Sequence, residues 1–476
     1  MTVRRTATAV ASGWDEAFIA PGVPRAGYGA IVAALNAADL PALSADVARR
    51  LAARGATFGS EPFGVCPVPR AIAADEWTRL ADGLAQRVRA LSAFVADAYG
   101  PRAIVAAGVL PERVIEEADG DEPALRGRLP AGPAPIGVAG LDVVRDEHGE
   151  LRVLEDNLRT PSGIAYAVAA RAAVTAALRA ALPAPAWDAL PRPGAREEAA
   201  AAAVRAVMSD AAAAIRPNGA GGEARVVVLT DGPGSSAYFE HATVARWLGA
   251  PLVTLAQLER RGEELWHGGR RVEVVYRRCD EDRLQDDDGA PTALAALLLE
   301  PWLAGRLALV NGFGTGVADD KLAHAYVEEM IRFYLGEEPR LRSVATLDLA
   351  DAAARERVLD DLGGHVVKPR HGQGGDGVVI CAHAEAADLR RIAGELRRPG
   401  AGARWIAQRT VALSSHPTVA GDRLEPRHVD LRPFVLGTRD GARVVPGGLT
   451  RVAWDRGALV VNSSQDGGAK DTWVLR

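Results

Sequence analysis

Apolar side chains recur three and four positions apart over 31–53 and again over 77–99, where Leu80, Leu84, Val88, Leu91 and Val95 make one stripe between charged neighbours. That period predicts two amphipathic core helices in a mainly helical stretch reaching about residue 110. Between them the run FGSEPFGVCPVPR, within 57–70, carries prolines that exclude a regular helix and predict an ordered loop. Over 140–163 the period drops to two. GLDVVRDEHGELRVLEDNLRTPSG reads as strand, turn, strand and Gly/Pro loop, with Asp146, His148 and Gly149 supplying the turn. With an even number of residues in that turn, alternation puts Asp142, Val144, Leu151, Val153, Glu155 and Asn157 on one face.

Linkers over 129–137 and 183–193 bracket this hairpin and an Ala-rich helix over 164–182, and another helix follows over 197–215. A short apolar strand over 224–230, a Gly/Ser turn, a helix and a strand over 251–255 make a βαβ unit, whose turn lies where α/β sheets usually bind ligands. Strands are predicted over 272–282, 308–316, 404–411 and 428–436, with closing strands over 449–452 and 459–473. A helix is predicted over 317–334, and a strand with a glycine-rich turn over 365–380.

Composition mainly removes alternatives. A chain of 476 residues exceeds one hydrophobic core, so roughly two to four subdomains are expected. A net charge of −5 with both signs interspersed gives no basic field for nucleic acid and no polybasic membrane patch. Cys66, Cys279 and Cys381 are odd in number and widely spaced, which predicts buried free thiols and neither a disulfide framework nor a zinc site. The apolar stretch after Arg4 and Arg5 is too short for an export signal and no uninterrupted apolar run reaches bilayer length, so a cytoplasmic protein is expected.

Two carboxylates on one strand face repel unless a cation lies between them, and carboxylate and amide oxygens are the ligands Mg²⁺ prefers. Asp142, Glu155 and Asn157 are therefore candidate metal ligands. The RTPSG loop behind them, with Arg159, Ser162 and Gly163, offers a cation, a hydroxyl and a helix start to an anionic substrate group. Lys368 projects from the strand HVVKP, and Gly372, Gly374, Gly375 and Gly377 let the following backbone fold over an anion. The spacing fits neither a Walker A loop nor a Rossmann turn. Ser235 and Ser236, with Tyr238 and Glu240, fit substrate contact and helix capping equally. Arg70 fits a surface cation better than an anion contact.

Asp142, Glu155 and Asn157 followed by a Pro/Ser/Gly loop, with Lys368 and its glycines far downstream, form an order that resembles the circularly permuted ATP-grasp family. That family is related in layout to glutathione and glutathionylspermidine synthetases, and the similarity covers nearly the whole chain. The resemblance implies a mixed α/β and α+β fold of several subdomains. These would be a mainly helical region over 1–130, the metal-binding hairpin and helix over 131–200, an α/β substrate side over 201–310, and the nucleotide lid with closing strands over 311–476. It implies ATP and Mg²⁺, with Lys321, Lys368, Arg432, the backbone of Gln408 and, in a second glycine loop, Lys470 around the nucleotide. Arg278 and Asp280 fit either a grip on a charged acceptor or a surface ion-pair cluster.

The implied chemistry is a carboxylate held by Arg159 and Ser162 attacking the γ-phosphorus, then an amine displacing phosphate to give an amide. The same groups would serve an ATP-grasp phosphotransferase, or an ATP-binding protein without turnover. The sequence identifies neither the carboxylate nor the amine, and it leaves the oligomeric state open.

Overall fold

The alternation over 140–157 produces a hairpin, Val138–Arg145 and Leu151–Asn157, inside a nine-stranded sheet. The computed structural model describes residues 13–191, 197–216, 222–280, 283–372, 377–459 and 467–475. From one edge the sheet runs Gly441–Val444, Phe434–Thr438, Val138–Arg145, Arg423–Arg432, Leu449–Ala453, Gly467–Val474 and Val65–Ile72. Leu151–Asn157 pairs with Val138–Arg145, and Ser415–Ala420 with Arg423–Arg432.

Each face of the sheet is covered by a helix expected from sequence, one from its apolar period and one from its run of alanines. Ala74–Ala98 packs Leu80, Leu84, Leu91 and Val95 with Leu141, Val143, Leu431 and Val435. Ile164–Ala181 packs Ala169, Ala173 and Ala177 with Phe434, Leu449 and Trp473 on the other. Ile164–Ala181 is long and apolar enough by composition to cross a membrane, but half of it is buried against this sheet and its neighbours.

Val65–Ile72, expected as a loop, is instead a strand paired in parallel with Gly467–Val474. It closes the sheet's order, so Pro67 and Pro69 need no ladder partner on the open side, and the register shifts alongside them. Arg70, expected at the surface, is fully buried and donates to Glu16 at 2.7 Å and to the Asp430 carbonyl at 3.1 Å. Glu16 also accepts from Arg145 and Ser414. Burial alone would raise the Glu16 carboxyl, but Arg70 and Arg145 outweigh it and hold it at about 2.

A folded value below the unfolded one means this stabilisation is complete above the ordinary carboxylate range and is lost as pH falls toward about 2. The urea midpoint is therefore expected to drop between about pH 4.5 and 2. Glu16→Gln should be less stable at neutral pH, with a shallower acid limb. Parallel acid limbs in the two proteins would remove this assignment.

Two smaller sheets flank the large one. The βαβ unit forms a parallel sheet in the order Ala308–Val310, Val274–Arg278, Val226–Thr230 and Leu252–Val253. Thr346–Asp348, Trp405–Arg409, His365–Pro369 and Val379–Ile380 form an antiparallel lid sheet, with a small core of Leu349, Val358, Val367, Ile392, Leu396 and Ala407. The single helix expected over 317–334 is broken into Gly316–Asp319, Lys321–His324 and Val327–Leu335, because extended Asp320 caps the second piece through the Leu322 amide. Cys66, Cys279 and Cys381 are buried and unbridged.

Candidate active site

The hairpin turn holds residues 146–150, an odd number, so strict alternation would put Glu155 opposite to Asp142's side. The register slips by one residue at Leu154: Val143 faces Val153, but Asp142 faces Glu155 and Gly140 faces Asn157. This bulge returns Glu155 and Asn157 to the Asp142 side. It also corrects the expected face, since Arg152, opposite Val144, takes the place of Leu151 and Val153.

Asp142 is buried between two guanidinium groups. Arg432 donates from Nε at 2.6 Å and Nη2 at 2.8 Å, and Arg451 from Nη2 at 2.9 Å. Arg451 is held in turn by Asp430, its cross-strand neighbour. Burial pushes the Asp142 carboxyl up, but the two arginines hold it at about 2. Both its oxygens are thus engaged by protein cations, unlike the open ligand expected from sequence. Glu155 differs: it is half-buried, and no described residue bonds its carboxylate. The buried Asn157 Nδ2 likewise has no partner.

Lys368 stands on the lid strand opposite Ile406, on the same side as Val366 and Gln408. Burial lowers its ammonium pKa, Lys321 adds to this, and Glu155 and Asp142 oppose it. The lysine stands on the lid face that meets the hairpin, near enough for the Glu155 and Asp142 charges to act on it. Gln408 closes the junction, donating to the Leu154 carbonyl at 3.1 Å and to Thr346 Oγ1 at 3.0 Å, while its Oε1 is unpaired.

The Asp-Lys pair seats the glycine turn. Asp320 accepts from Arg370 Nε at 3.0 Å, and Lys321 Nζ donates to the Gly372 carbonyl at 2.6 Å. Gly372 and Gly377 have φ of +109° and +68°, in the region that favours glycine. Gly374 and Gly375 lie outside the described residues.

On the substrate side, Arg159 pairs with Asp319 at 3.3 Å. The amides of Gly163 and Ala165, expected to meet a substrate anion, donate instead to Glu240 Oε2 at 2.8 and 2.9 Å. Arg278 is buried and donates to Ser162 Oγ, the Pro161 carbonyl and Glu240. The protein's own carboxylate and guanidinium thus fill the helix start. Asp280 is exposed, with its amide bonded to Asp231. Ser235 is half-buried and Ser236 exposed, and the helix they precede has Ala237 at its cap without a side-chain bond, so neither serine caps it.

Lys470 is not in a loop. It is buried in Gly467–Val474 opposite Thr450, the neighbour of Arg451, and donates to Cys66 Sγ at 3.0 Å and to the Pro417 carbonyl at 2.9 Å. Alternation puts it on the side of the strand away from Arg451, so it leaves the nucleotide group.

Arg451, Asp319 and a buried cluster behind the hairpin were missed from sequence. Asp156, between Glu155 and Asn157 but pointing the other way, accepts two bonds from Arg87 at 2.6 and 2.7 Å and one from His324 at 2.7 Å. The acidic residue in EDN was visible, but its partners lie in distant helices.

A cavity of about 520 Å³ opens where the chain enters and leaves the lid, lined by Arg152, His324, Thr346, Arg409, Thr410 and Val411 among others. Among the described residues no three His, Cys, Asp or Glu side chains form a self-sufficient metal cage. Mg²⁺ bound through one or two protein oxygens and a substrate's phosphates needs none, and unpartnered Glu155 and Asn157 fit that arrangement.

Residues 69–453 match the family model described as circularly permuted ATP-grasp type 2. A Frankia alni protein described as "Putative glutamate--cysteine ligase 2-3" is 43% identical over 98% of this chain and 54% of its own length. The Mycobacterium tuberculosis protein Rv2411c is 40% identical over 99% of this chain and 85% of its own length. The chain thus spans about half the length of the Frankia relative. A glutathione synthetase-like effector from Globodera pallida shares the fold, with a TM-score of 0.58 at 12% identity over 91% of this chain and 96% of its own.

Proposed function

The chain belongs to the circularly permuted ATP-grasp family, and from that premise we propose that it is an ATP-dependent carboxylate–amine ligase working through an acylphosphate. The observation that carries this reading is that Lys368 stands on the lid face whose Gln408 is hydrogen-bonded to the hairpin at Leu154, the residue before Glu155. In this reading Lys368, Lys321 and Arg432 neutralise phosphate oxygens, and Asp142 keeps Arg432 aimed at the cleft. Glu155 and Asn157 would hold Mg²⁺, which would neutralise phosphate charge when bound.

Phosphoryl transfer needs mainly positioning and electrostatic stabilisation, and the cations named here provide both. A substrate carboxylate oxygen attacks the γ-phosphorus and ADP leaves. The amine nitrogen then attacks the acyl carbon, phosphate departs, and the nitrogen loses a proton. Arg159 and the RTPSG loop lie beside the hairpin's end, where the carboxylate would approach.

The test is incubation with ATP, Mg²⁺, hydroxylamine and pools of carboxylates. ADP formation that depends on a carboxylate, with a trapped acyl hydroxamate, is the expected result. Phosphate transferred to a hydroxyl or a histidine instead would replace the ligase with a phosphotransferase.

Lys368→Ala is expected to weaken ATP binding by about 10- to 100-fold, the scale of a lost charge-assisted bond, with little change in the urea midpoint. Unchanged affinity by calorimetry would take Lys368 out of the site.

A further inference from the structure

Glu155 and Asn157 lie on Leu151–Asn157, which among the described strands pairs with Val138–Arg145 alone. The slip at Leu154 is what turns both side chains to the cleft, and a backbone ladder bonds equally well without it: strict pairing would turn Asp156 there instead. Something other than the ladder selects the direction. Asp156 lies opposite Leu141, buried on the face that Ala74–Ala98 covers. Arg87 of that helix is fully buried and grips both oxygens of Asp156, from Nε at 2.6 Å and Nη2 at 2.7 Å, while its Nη1 donates to Ser343 Oγ at 2.9 Å.

Successive side chains of a strand point to opposite faces, so holding Asp156 under the helix holds Glu155 and Asn157 toward the cleft. A guanidinium–carboxylate pair with two parallel bonds sets direction as well as energy. Without the arginine, Asp156 would be a buried carboxyl stripped of two bonds, and the remaining contact, His324 Nδ1 at 2.7 Å, reaches one oxygen only. The strictly paired register is no refuge, because it puts Glu155 opposite Leu141 in place of Asp156. Residues 155–157 would then lift from the helix, and both candidate ligands would lose their aim.

We propose that Arg87 is a positioning residue for the metal site, its two-bond grip on Asp156 behind the hairpin holding Glu155 and Asn157 toward the cleft. This rests on the metal reading of the preceding subsection and names what keeps its ligands in place. Arg87 acts through the strand and touches neither nucleotide nor metal. An apolar pair would serve the same end, since a buried ion pair is often replaced by hydrophobic side chains of similar volume without loss of stability.

Calorimetry with adenosine β,γ-methylene triphosphate, in Mg²⁺ and in chelator, reads the gain in nucleotide affinity that the metal confers. In Arg87→Met that gain is expected to shrink by about 10-fold, the scale for groups that orient metal ligands, while affinity without metal stays within about 3-fold. A general loosening of the fold would lower both. Combining Arg87→Met with Asp156→Leu leaves no buried carboxyl to pair, and should return the gain to within about 3-fold of the unaltered protein's. Arg87→Lys keeps the charge without the fork and should lose part of the gain, which decides the matter should the methionine variant not fold. A full gain in folded Arg87→Met or Arg87→Lys, or a folded double variant in which it does not return, overturns the proposal. If Mg²⁺ confers no gain on the unaltered protein, the metal reading of Glu155 and Asn157 fails and this inference falls with it; if the gain is lost and restored as expected but no hydroxamate forms, only the ligase reading fails.

Discussion

Glu155→Gln is expected to lower ADP formation by about 1,000-fold or more while leaving the fold intact, a loss on the scale seen when a group stabilising transition-state charge is removed. Glu155 has no structural partner to lose: no described residue bonds its carboxylate, and its place opposite Asp142 depends on the backbone slip at Leu154. The amide keeps shape but removes one negative charge, and a neutral oxygen is a poorer ligand for Mg²⁺. The substitution has a second consequence. Glu155 opposes the lowering of the Lys368 pKa, so its loss lets burial and Lys321 depress that ammonium further. Residual activity should therefore fall off at a lower pH than in the unaltered protein, as Lys368 loses its proton earlier. Steady-state ADP release across pH, with the urea midpoint alongside, reads both effects. Unaltered turnover would remove Glu155 from the metal site.

What the sequence made legible was local. The hairpin, the helix Ala74–Ala98, the βαβ unit and the lid strand carrying Lys368 follow from periodicity and turn residues within a few tens of positions, whereas the one helix expected over 31–53 is two, Gly29–Ala37 and Leu40–Ala53, because Asp39 caps the second. The slip at Leu154 was not legible, because a bulge has no side-chain signature: the even turn expected from sequence put Glu155 on the Asp142 side, and the actual five-residue turn reaches that side only through the slip. Partners distant along the chain were equally hidden. Asp142 meets Arg432 across a separation of 290 residues and Arg451 across 309, so its acidic character read as an open metal ligand. Glu240 lies 77 residues beyond Gly163, and nothing in RTPSG announced that the helix start was already occupied. Lys470 misled for another reason: the glycines before it looked like a loop, but Gly467 and Gly468 pair with Ala453 and Val452 in the sheet.

Asp142→Asn separates the two roles open to that residue. If Asp142 anchors arginines, the variant leaves half-buried Arg432 and buried Arg451 beside a neutral amide, while Asp430 still compensates part of the Arg451 charge. Breaking one partner out of a buried ion pair costs about 3–5 kcal/mol, so the urea midpoint should fall markedly. Turnover should fall too, because Arg432 loses the contacts that fix its direction, and raising Mg²⁺ should not restore it. A metal ligand predicts the opposite pattern, with stability nearly unchanged and activity recovering as Mg²⁺ rises. The acid limb adds a check of sign. The Asp142 carboxyl sits at about 2, below its ordinary value, so its stabilisation is present at neutral pH and disappears as pH falls toward about 2. The stability gap between the two proteins should therefore narrow below about pH 4. A gap that stays constant down to about pH 2 would show that Asp142 does not owe its place to Arg432 and Arg451.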